Sequence, residues 1–252
     1  MSQYRQSPFA NLTPVVKNLL ILNIICFIPS LVFDKPNGLD PGAITTLFGM
    51  HYFASDSFRV WQIITYMFMH GGFAHIFFNM FALFMFGPML EYSIGPKRFL
   101  QLYFICGIGA GLLQIAVQAI EIHSITHAFT LHMTGINGPD GVDSIYYQYG
   151  GPDITLKLWS AYNAPLVGAS GAIFGLLVAF AMLYPNLEMM IMFIPAPIKA
   201  KYLIPVYIIL ELWLGFGQYG GDNVAHFAHL GGALFGFILI KIWGIKGSNN
   251  FL

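Results

Sequence analysis

The chain has 252 residues, of which 57% are hydrophobic and only 9% are charged. Soluble globular domains carry about 25% charged residues, so this composition excludes an ordinary water-soluble globule and indicates a membrane protein. The formal net charge is zero, which argues against a nucleic-acid-binding protein. Cys26 and Cys106, the two cysteines, both lie in apolar runs, so neither a disulfide framework nor a cysteine metal site is expected.

Six apolar segments approach the length of about 20 residues that a helix needs to cross a bilayer. The first follows a polar stretch without a small-residue cleavage site, which favours a retained span over a signal peptide. A shorter apolar stretch, 61–69, is predicted to dip into the membrane interface. The fold class is thus predicted to be an all-α membrane protein with six transmembrane helices, over 15–33, 73–92, 97–120, 166–184, 202–217 and 224–243.

The distribution of Lys and Arg predicts the orientation, because cytoplasmic loops collect these residues. Placing both termini in the cytoplasm puts three of the 11 on the outer side, namely Lys35, Arg59 and Lys157. The other eight are then cytoplasmic: Arg5, Lys17, Lys97, Arg98, Lys199, Lys201, Lys241 and Lys246. The second, fourth and sixth spans consequently enter from the outer face. Segment 121–163, rich in Gly, Asp and Tyr, is predicted to be a long outer loop.

Polar residues of three different spans are predicted to lie at one depth. Ser170 is expected about one turn into the fourth span, His75 and Asn79 in the first two turns of the second, and His229 in the second turn of the sixth. At about 1.5 Å of rise per residue, all four lie in the outer third of the membrane. Composition alone does not require this coincidence.

Ser170 has small neighbours, for which two readings stay open. Gly168, Gly171 and Gly175 allow another helix to approach closely, and the hydroxyl would then bond to a backbone carbonyl. Alternatively, the start of a helix supplies unpaired N–H groups and the positive end of the helix dipole, which suits an oxyanion site beside a nucleophile.

His229 is the best candidate for a base that activates this serine. Ionisable groups inside a span are costly and usually functional, although an interhelical hydrogen bond is the simpler explanation. If the glycines that follow Ser170 pack against Gly232 and Gly236, Ser170 and His229 become neighbours. A neutral histidine next to a serine is the usual general base.

The other polar residues of the spans receive weaker interpretations. His75 and Asn79 share one helix face, where they would either tie the helix to a loop or donate hydrogen bonds to an oxyanion. His226 is expected at the interface as a poor second choice for the base, and His70 is expected to point away from His75 in a structural role. Glu211 is expected to pair with a polar neighbour away from the outer mouth.

No metal and no cofactor are expected. His123, His127 and His132 lie in the predicted loop without a supporting carboxylate or cysteine, and a solvated loop is the simpler interpretation. The metalloprotease motif His-Glu-x-x-His does not occur.

From about residue 15 to 243, the chain resembles the rhomboid family of intramembrane serine proteases. Three short motifs in the expected order carry the resemblance, together with a Glu and a Gly at the inner end of the second helix. They are Gly168-Ala169-Ser170-Gly171, His75-Ile76-Phe77-Phe78-Asn79, Ala228-His229-Leu230-Gly231-Gly232 with Gly236, and Glu91 with Gly95.

The resemblance implies one rhomboid domain over 1–252 and a Ser170–His229 dyad without an aspartate. Ser170 would attack a peptide carbonyl, and the Ser170 N–H, His75 and Asn79 would hold the oxyanion. The implied partners are the lipid bilayer and single-span membrane protein substrates, and the oligomeric state stays open. The expected location is the cell membrane, with the bacterial inner membrane suggested by the small size of the chain.

Three features depart from the pattern of the family. Many members have Trp-Arg where this chain has Trp61-Gln62, so an arginine contact is missing. Many have Tyr four residues after the serine, stacked on the histidine, where Phe174 keeps only the ring. The loop 121–163 is longer than in typical bacterial members.

Two other functions compete with the protease. A catalytically inactive rhomboid-like binding protein would usually lack the serine or the histidine, and both are present here. A transporter would need ionisable groups spread across the bilayer and repeated or broken helices, whereas these groups gather at one face.

Overall fold

The structure, a computed structural model, describes residues 12–35, 40–131, 149–191, 194–217, 225–245 and 247. Within these ranges the chain is mostly helical, with a short 3-10 turn at Tyr66–Phe68 and an antiparallel hairpin of β1 (Glu188–Ile191) and β2 (Ile194–Lys199). The helices are α1 (Pro14–Phe33), α2 (Ala43–Phe48), α3 (Gln62–Thr65), α4 (Phe73–Ile94), α5 (Pro96–Thr126), α6 (Pro152–Asn163), α7 (Ser170–Leu183), α8 (Ala200–Gly217) and α9 (His226–Ile242).

Each of the six predicted spans overlaps one of these helices. By length and composition, α1, α4 and α5 are able to cross a membrane, while α7 and α9 are shorter apolar helices. The predicted interfacial stretch 61–69 contains α3 and the 3-10 turn. The hairpin between α7 and α8 was not predicted.

The predicted loop 121–163 is partly helical. Helix α5 continues to Thr126, and α6 occupies the last part of the segment after the turn at Gly150 and Gly151. Residues 132–148, which include His132, lie outside the described residues, as do Arg5 and Lys246 of the charge count.

Helices α7 and α9 contact each other through backbone atoms along four glycines, called here the glycine seam: Gly171, Gly175, Gly232 and Gly236. A Cβ atom on Gly232 would lie 1.8 Å from the carbonyl oxygen of Gly171. One on Gly236 would lie 2.5 Å from the carbonyl oxygen of Gly175. Because real Cβ contacts are longer, only glycine permits this helix spacing.

Helix α5 covers another side of α7. A Cβ atom on Gly171 would lie 2.4 Å from the Cβ of Ala110, and one on Gly175 would lie 2.3 Å from the Sγ of Cys106. Every residue of α7 from Gly171 to Phe180 is buried. Helix α7 is therefore the central helix of the bundle.

Helices α1 and α4 expose large apolar side chains. Ile24 and Ile25 of α1, and Phe77 and Phe78 of α4, are each more than half exposed. Met80 and Phe86 of α4 pack on the core instead, so the Phe and Met side chains of this helix are divided between the core and the exposed apolar surface. An apolar surface of this kind is stable when lipid covers it.

Glu91 of α4 caps the start of α1. Its buried carboxylate accepts hydrogen bonds from the N–H groups of Val15 at 3.1 Å and Val16 at 2.9 Å, and from the hydroxyl of Thr13. A negative charge at a helix N-terminus satisfies its orphan N–H groups and its dipole. The glutamate of the family resemblance thus has a structural role in this chain.

A second, smaller core lies between the end of α5 and α6, and is called here the aromatic cap: Tyr52, Ile122, Leu131, Leu158, Ala161 and Tyr162. The two tyrosine rings lie 5.3 Å apart. The hydroxyl of Tyr162 donates to the carbonyl of Ala54 at 2.5 Å. The cap joins α6 to the stretch that follows α2.

Candidate active site

Ser170 is the first residue of α7. The chain before it is extended, because Leu166 forms a β-bridge with Met50 and the N–H of Gly168 donates to the carbonyl of Tyr66 at 2.9 Å. Gly168 has a φ of 122°, a conformation that favours glycine. The expectation that Ser170 lies a full turn inside the helix is therefore wrong. As the first helical residue, it contributes an N–H without an intrahelical partner.

His229 of α9 lies against the face of α7 that carries Ser170. The His229 ring stacks on Phe174 with centroids 4.3 Å apart and an interplanar angle of 7°. Phe174 follows Ser170 by four residues, so the two share one helix face. The stacking that the resemblance led us to expect is therefore present, with phenylalanine in place of tyrosine.

His75 approaches Ser170 from α4. A Cβ atom built on Gly168 would lie 2.6 Å from His75 Nε2 and 3.5 Å from Ser170 Oγ. The imidazole thus occupies the space that a side chain at position 168 would fill. Gly168 is needed both for its backbone conformation and for this close approach.

Asn79 lies one turn after His75 and is buried. Within the described part of the chain, its Nδ2 has no hydrogen-bond acceptor. A buried amide donor without a partner is costly unless it serves another group. Asn79 therefore has a free donor on the helix face that also carries His75.

Glu211 of α8 contacts His229 directly. Its Oε2 lies 2.9 Å from His229 Nδ1 and 2.7 Å from His226 Nδ1, and its side chain is 5% exposed. Glu211 pairs with polar neighbours as expected, but its expected position away from the site is wrong. His226, the first residue of α9, is buried and shares Glu211 with His229. Glu211 lies six residues before the end of α8, about 9 Å along the helix, and its contact with His226 places its carboxylate beside the first turn of α9.

His70 also departs from its interpretation. Its ring centroid lies 5.2 Å from that of His75 and 6.4 Å from that of Phe27. The five-residue spacing suggested that the two histidines point apart, but this holds only within a helix. His70 precedes α4 and is in an extended stretch, so its ring packs beside His75.

Gln62, where many relatives have arginine, is fully buried and connects the loop around α2 and α3. Its Nε2 donates to the carbonyls of Thr46, Leu47 and Ser57 at 3.0–3.3 Å. Its Oε1 accepts from the N–H groups of His51 at 3.3 Å and Arg59 at 3.0 Å. Glutamine at this position is therefore buried and hydrogen-bonded through both its oxygen and its nitrogen.

A metal-like cluster occurs once within the described ranges. Glu211, His226 and His229 each offer a ligand atom, and these atoms lie within 4.8 Å of one another. The two N···O distances are ordinary for charge-assisted hydrogen bonds. His123 and His127, with ring centroids 6.3 Å apart, have no carboxylate in such a group, and His123 stacks on Phe129.

A model of the Rhomboid domain matches residues 57–136 and 144–245 of the chain. An uncharacterised mitochondrial rhomboid protein of Schizosaccharomyces pombe is 27% identical over 211 residues, which cover 73% of this chain and 52% of that protein. The rhomboid protease AarA of Providencia stuartii is 30% identical over 235 residues, which cover 88% of this chain and 69% of that protein. The rhomboid protease GluP of Bacillus subtilis is 29% identical over 191 residues, which cover 76% of this chain and 27% of that protein.

Proposed function

This chain belongs to the rhomboid family, and on that basis we propose that it is an intramembrane serine endopeptidase. The proposed substrates are single-span membrane proteins, cut within their transmembrane segments near the outer membrane face. The proposal includes a six-helix topology with both termini in the cytoplasm. The relatives include two bacterial proteases and a mitochondrial protein, and the bacterial inner membrane is the proposed location.

One contact carries the proposal: the stacking of His229 on Phe174, one helical turn from Ser170. The glycine seam supports it, because a backbone contact between α7 and α9 fixes the position of His229 along α7. In this proposal Ser170 is the nucleophile and His229, on the adjacent helix, is its general base.

In the proposed reaction, Ser170 Oγ attacks the carbonyl carbon of the scissile bond while its proton passes to His229 Nε2. The tetrahedral intermediate collapses, the C–N bond breaks, and His229 gives the proton to the leaving amine. Water then attacks the acyl-enzyme, again with His229 as the base, and the proton returns to Ser170 Oγ.

Three donors are proposed for the negative oxygen of the intermediate: the Ser170 N–H, the His75 imidazole and the Asn79 amide. The position of Ser170 at the start of α7, the approach of His75 to Gly168 and the unpartnered Nδ2 of Asn79 support this assignment. Donors that are fixed before the reaction stabilise developing charge at little reorganisation cost.

A scissile bond inside a helix is protected by its hydrogen bonding, and it must become extended before attack. The preferred substrates should therefore contain helix-weakening residues near the cut, with a small residue before it. A panel of single-span substrates that differ at these positions would reveal the preference.

The test is cleavage by purified protein in detergent and in liposomes. Wild type should cut at least one substrate of the panel, while Ser170→Ala and His229→Ala should each lose at least about 10³-fold in kcat. Ser124→Ala, which changes an exposed serine of α5, is the matched control and should cleave like wild type. Cleavage by Ser170→Ala would contradict the mechanism. Binding of substrates by wild type without any cleavage would instead favour the inactive binding protein.

A further inference from the structure

Glu211 places a carboxylate inside an apolar helix, and the reaction proposed above does not use this carboxylate. It is buried, and its Oε2 lies within hydrogen-bond distance of ring nitrogens from two histidines of α9. A buried carboxylate is costly unless its charge is paired and hydrogen-bonded. Both bonds go to the same type of atom, Nδ1, in His226 and in His229.

The bond from His229 determines its tautomer. An ionised carboxylate only accepts hydrogen bonds, so His229 Nδ1 carries the hydrogen. A neutral imidazole has one N–H, which leaves Nε2 with a free lone pair. Nε2 is the atom that must accept the Ser170 proton in the proposed reaction. When the proton arrives, the negative charge of Glu211 stabilises the imidazolium.

We infer that Glu211 is a positioning residue that holds His229 ready to act as the base, so that the site is a Ser170–His229–Glu211 triad rather than a dyad. The inference rests on the proposed function and adds to it the group that orients the base. His226 supplies a second N–H to Oε2 and thereby holds the carboxylate in place. The three groups come from α7, α9 and α8, so the arrangement depends on the packing of all three helices.

A metal ion bound by the same three residues is the competing explanation. Zinc holds its nitrogen and oxygen ligands at about 2.0–2.2 Å, so two ligand atoms in a tetrahedral site stand about 3.3 Å apart. The distances from Oε2 to the two Nδ1 atoms are 2.9 and 2.7 Å. Both are too short for a shared metal and fit direct hydrogen bonds.

The first arm of the test measures kcat and KM separately for Glu211→Gln and Glu211→Asp. Glu211→Gln keeps the size of the side chain but removes the charge, and it should lower kcat by about 10²-fold with KM nearly unchanged. This loss is smaller than the roughly 10⁴-fold fall in kcat when the triad aspartate of a soluble serine protease is replaced by asparagine. Glu211→Asp restores a carboxylate and should recover part of the rate. Glu188→Gln, an exposed glutamate on β1, is the matched control and should leave both constants unchanged.

The second arm does not require activity. Nitrogen-15 NMR of histidine-labelled protein reports the tautomer of His229, assigned by comparison with His229→Gln. Wild type should show hydrogen on Nδ1 only, and Glu211→Gln should show a mixture of tautomers. If wild type cuts no substrate, the proposed function fails while this arm still decides whether Glu211 positions His229.

Three results would overturn the inference. One is a kcat of Glu211→Gln within twofold of wild type. Another is an unchanged tautomer of His229 in Glu211→Gln. The third is one equivalent of zinc that wild type keeps through dialysis against EDTA and Glu211→Gln loses, since this would assign the cluster to a metal.

Discussion

The glycine seam and the aromatic cap are built in opposite ways. Along the seam, α7 and α9 touch through backbone atoms, and a Cβ on Gly232 would meet a carbonyl oxygen at 1.8 Å. In the cap, large rings fill the space between α5 and α6, and hydrogen bonds from tyrosine hydroxyls reach loop carbonyls. The seam has no side chain that is able to move aside, whereas the cap consists of side chains that can.

This difference explains where a site that needs two side chains at a fixed separation is able to form. Backbone contact fixes the distance between two helices, so Ser170 and His229 inherit a fixed relative position. Side-chain packing tolerates small shifts, because neighbouring rotamers adjust. The two regions should therefore respond very differently to substitutions of similar size.

Gly232→Ala should have the largest effect. The added methyl group overlaps the carbonyl of Gly171, so α7 and α9 must separate, and the free energy of unfolding should fall by about 3 kcal/mol or more. Gly151→Ala adds the same group where nothing lies within 4 Å at a negative φ, and should stay within about 0.5 kcal/mol. Unfolding by denaturing detergent in mixed micelles measures both. Equal stabilities would contradict the backbone contact.

Gln62→Ala should have the next largest effect, since it removes the buried hydrogen bonds within the loop around α2 and α3, which adjoins the aromatic cap at Tyr52. Five hydrogen bonds join the Gln62 side chain to backbone groups of the loop. Their loss leaves buried groups unsatisfied and should lower the unfolding free energy by about 2 kcal/mol. Gln101→Ala on the exposed face of α5 is the control. The same unfolding assay decides, and a change below about 0.5 kcal/mol would show that water replaces these bonds.

Acidification should lower the stability of the fold through His51, which lies next to Tyr52 of the aromatic cap. His51 lies between the carbonyls of Asn163 and Thr46, and burial lowers its pKa below 6.5 by more than these two carbonyls raise it. Below pH 6.5 the unfolded chain then binds more protons than the folded chain, so stability falls as the pH drops from that value toward the lowered folded-state pKa.

The check is thermal unfolding between pH 7.5 and pH 5 for wild type and His51→Gln. Part of the wild-type loss of stability on acidification should be absent in the variant. Identical pH dependence in the two proteins would show that His51 does not titrate in this way.

Lys157→Ala should have the smallest effect. Lys157 of α6 pairs with Glu121 of α5 at 2.8 Å, with side chains that are 40% and 24% exposed. A surface ion pair contributes about 0–1 kcal/mol and is screened by salt. The change in unfolding free energy should stay within this range and shrink at 1 M salt. A loss of several kcal/mol would show that the ion pair, rather than the rings, holds α6.

The sequence was sufficient for the helices of the six predicted spans and for the family, but only in part for the connecting segments and the site. Apolar runs and the motifs around Ser170 and His229 are local signals, so they located the helix of each predicted span and the polar residues on it, whereas α2 and α6 lack such runs and were not predicted. The start of α7 was missed because it depends on the bridge between Leu166 and Met50, which are distant in sequence. The partner of Glu211 was missed for the same reason. Its one signal was a lone acid in an apolar span, and the sequence does not say which helix lies opposite.

The most direct test of the account is labelling with a fluorophosphonate, which reacts with an activated serine. Intact wild-type protein should be labelled, with the modification mapped to Ser170 by mass spectrometry, and His229→Ala should lose the labelling while keeping its helical circular dichroism. Absence of label in folded wild type, or equal labelling of His229→Ala, would contradict the claim that His229 activates Ser170.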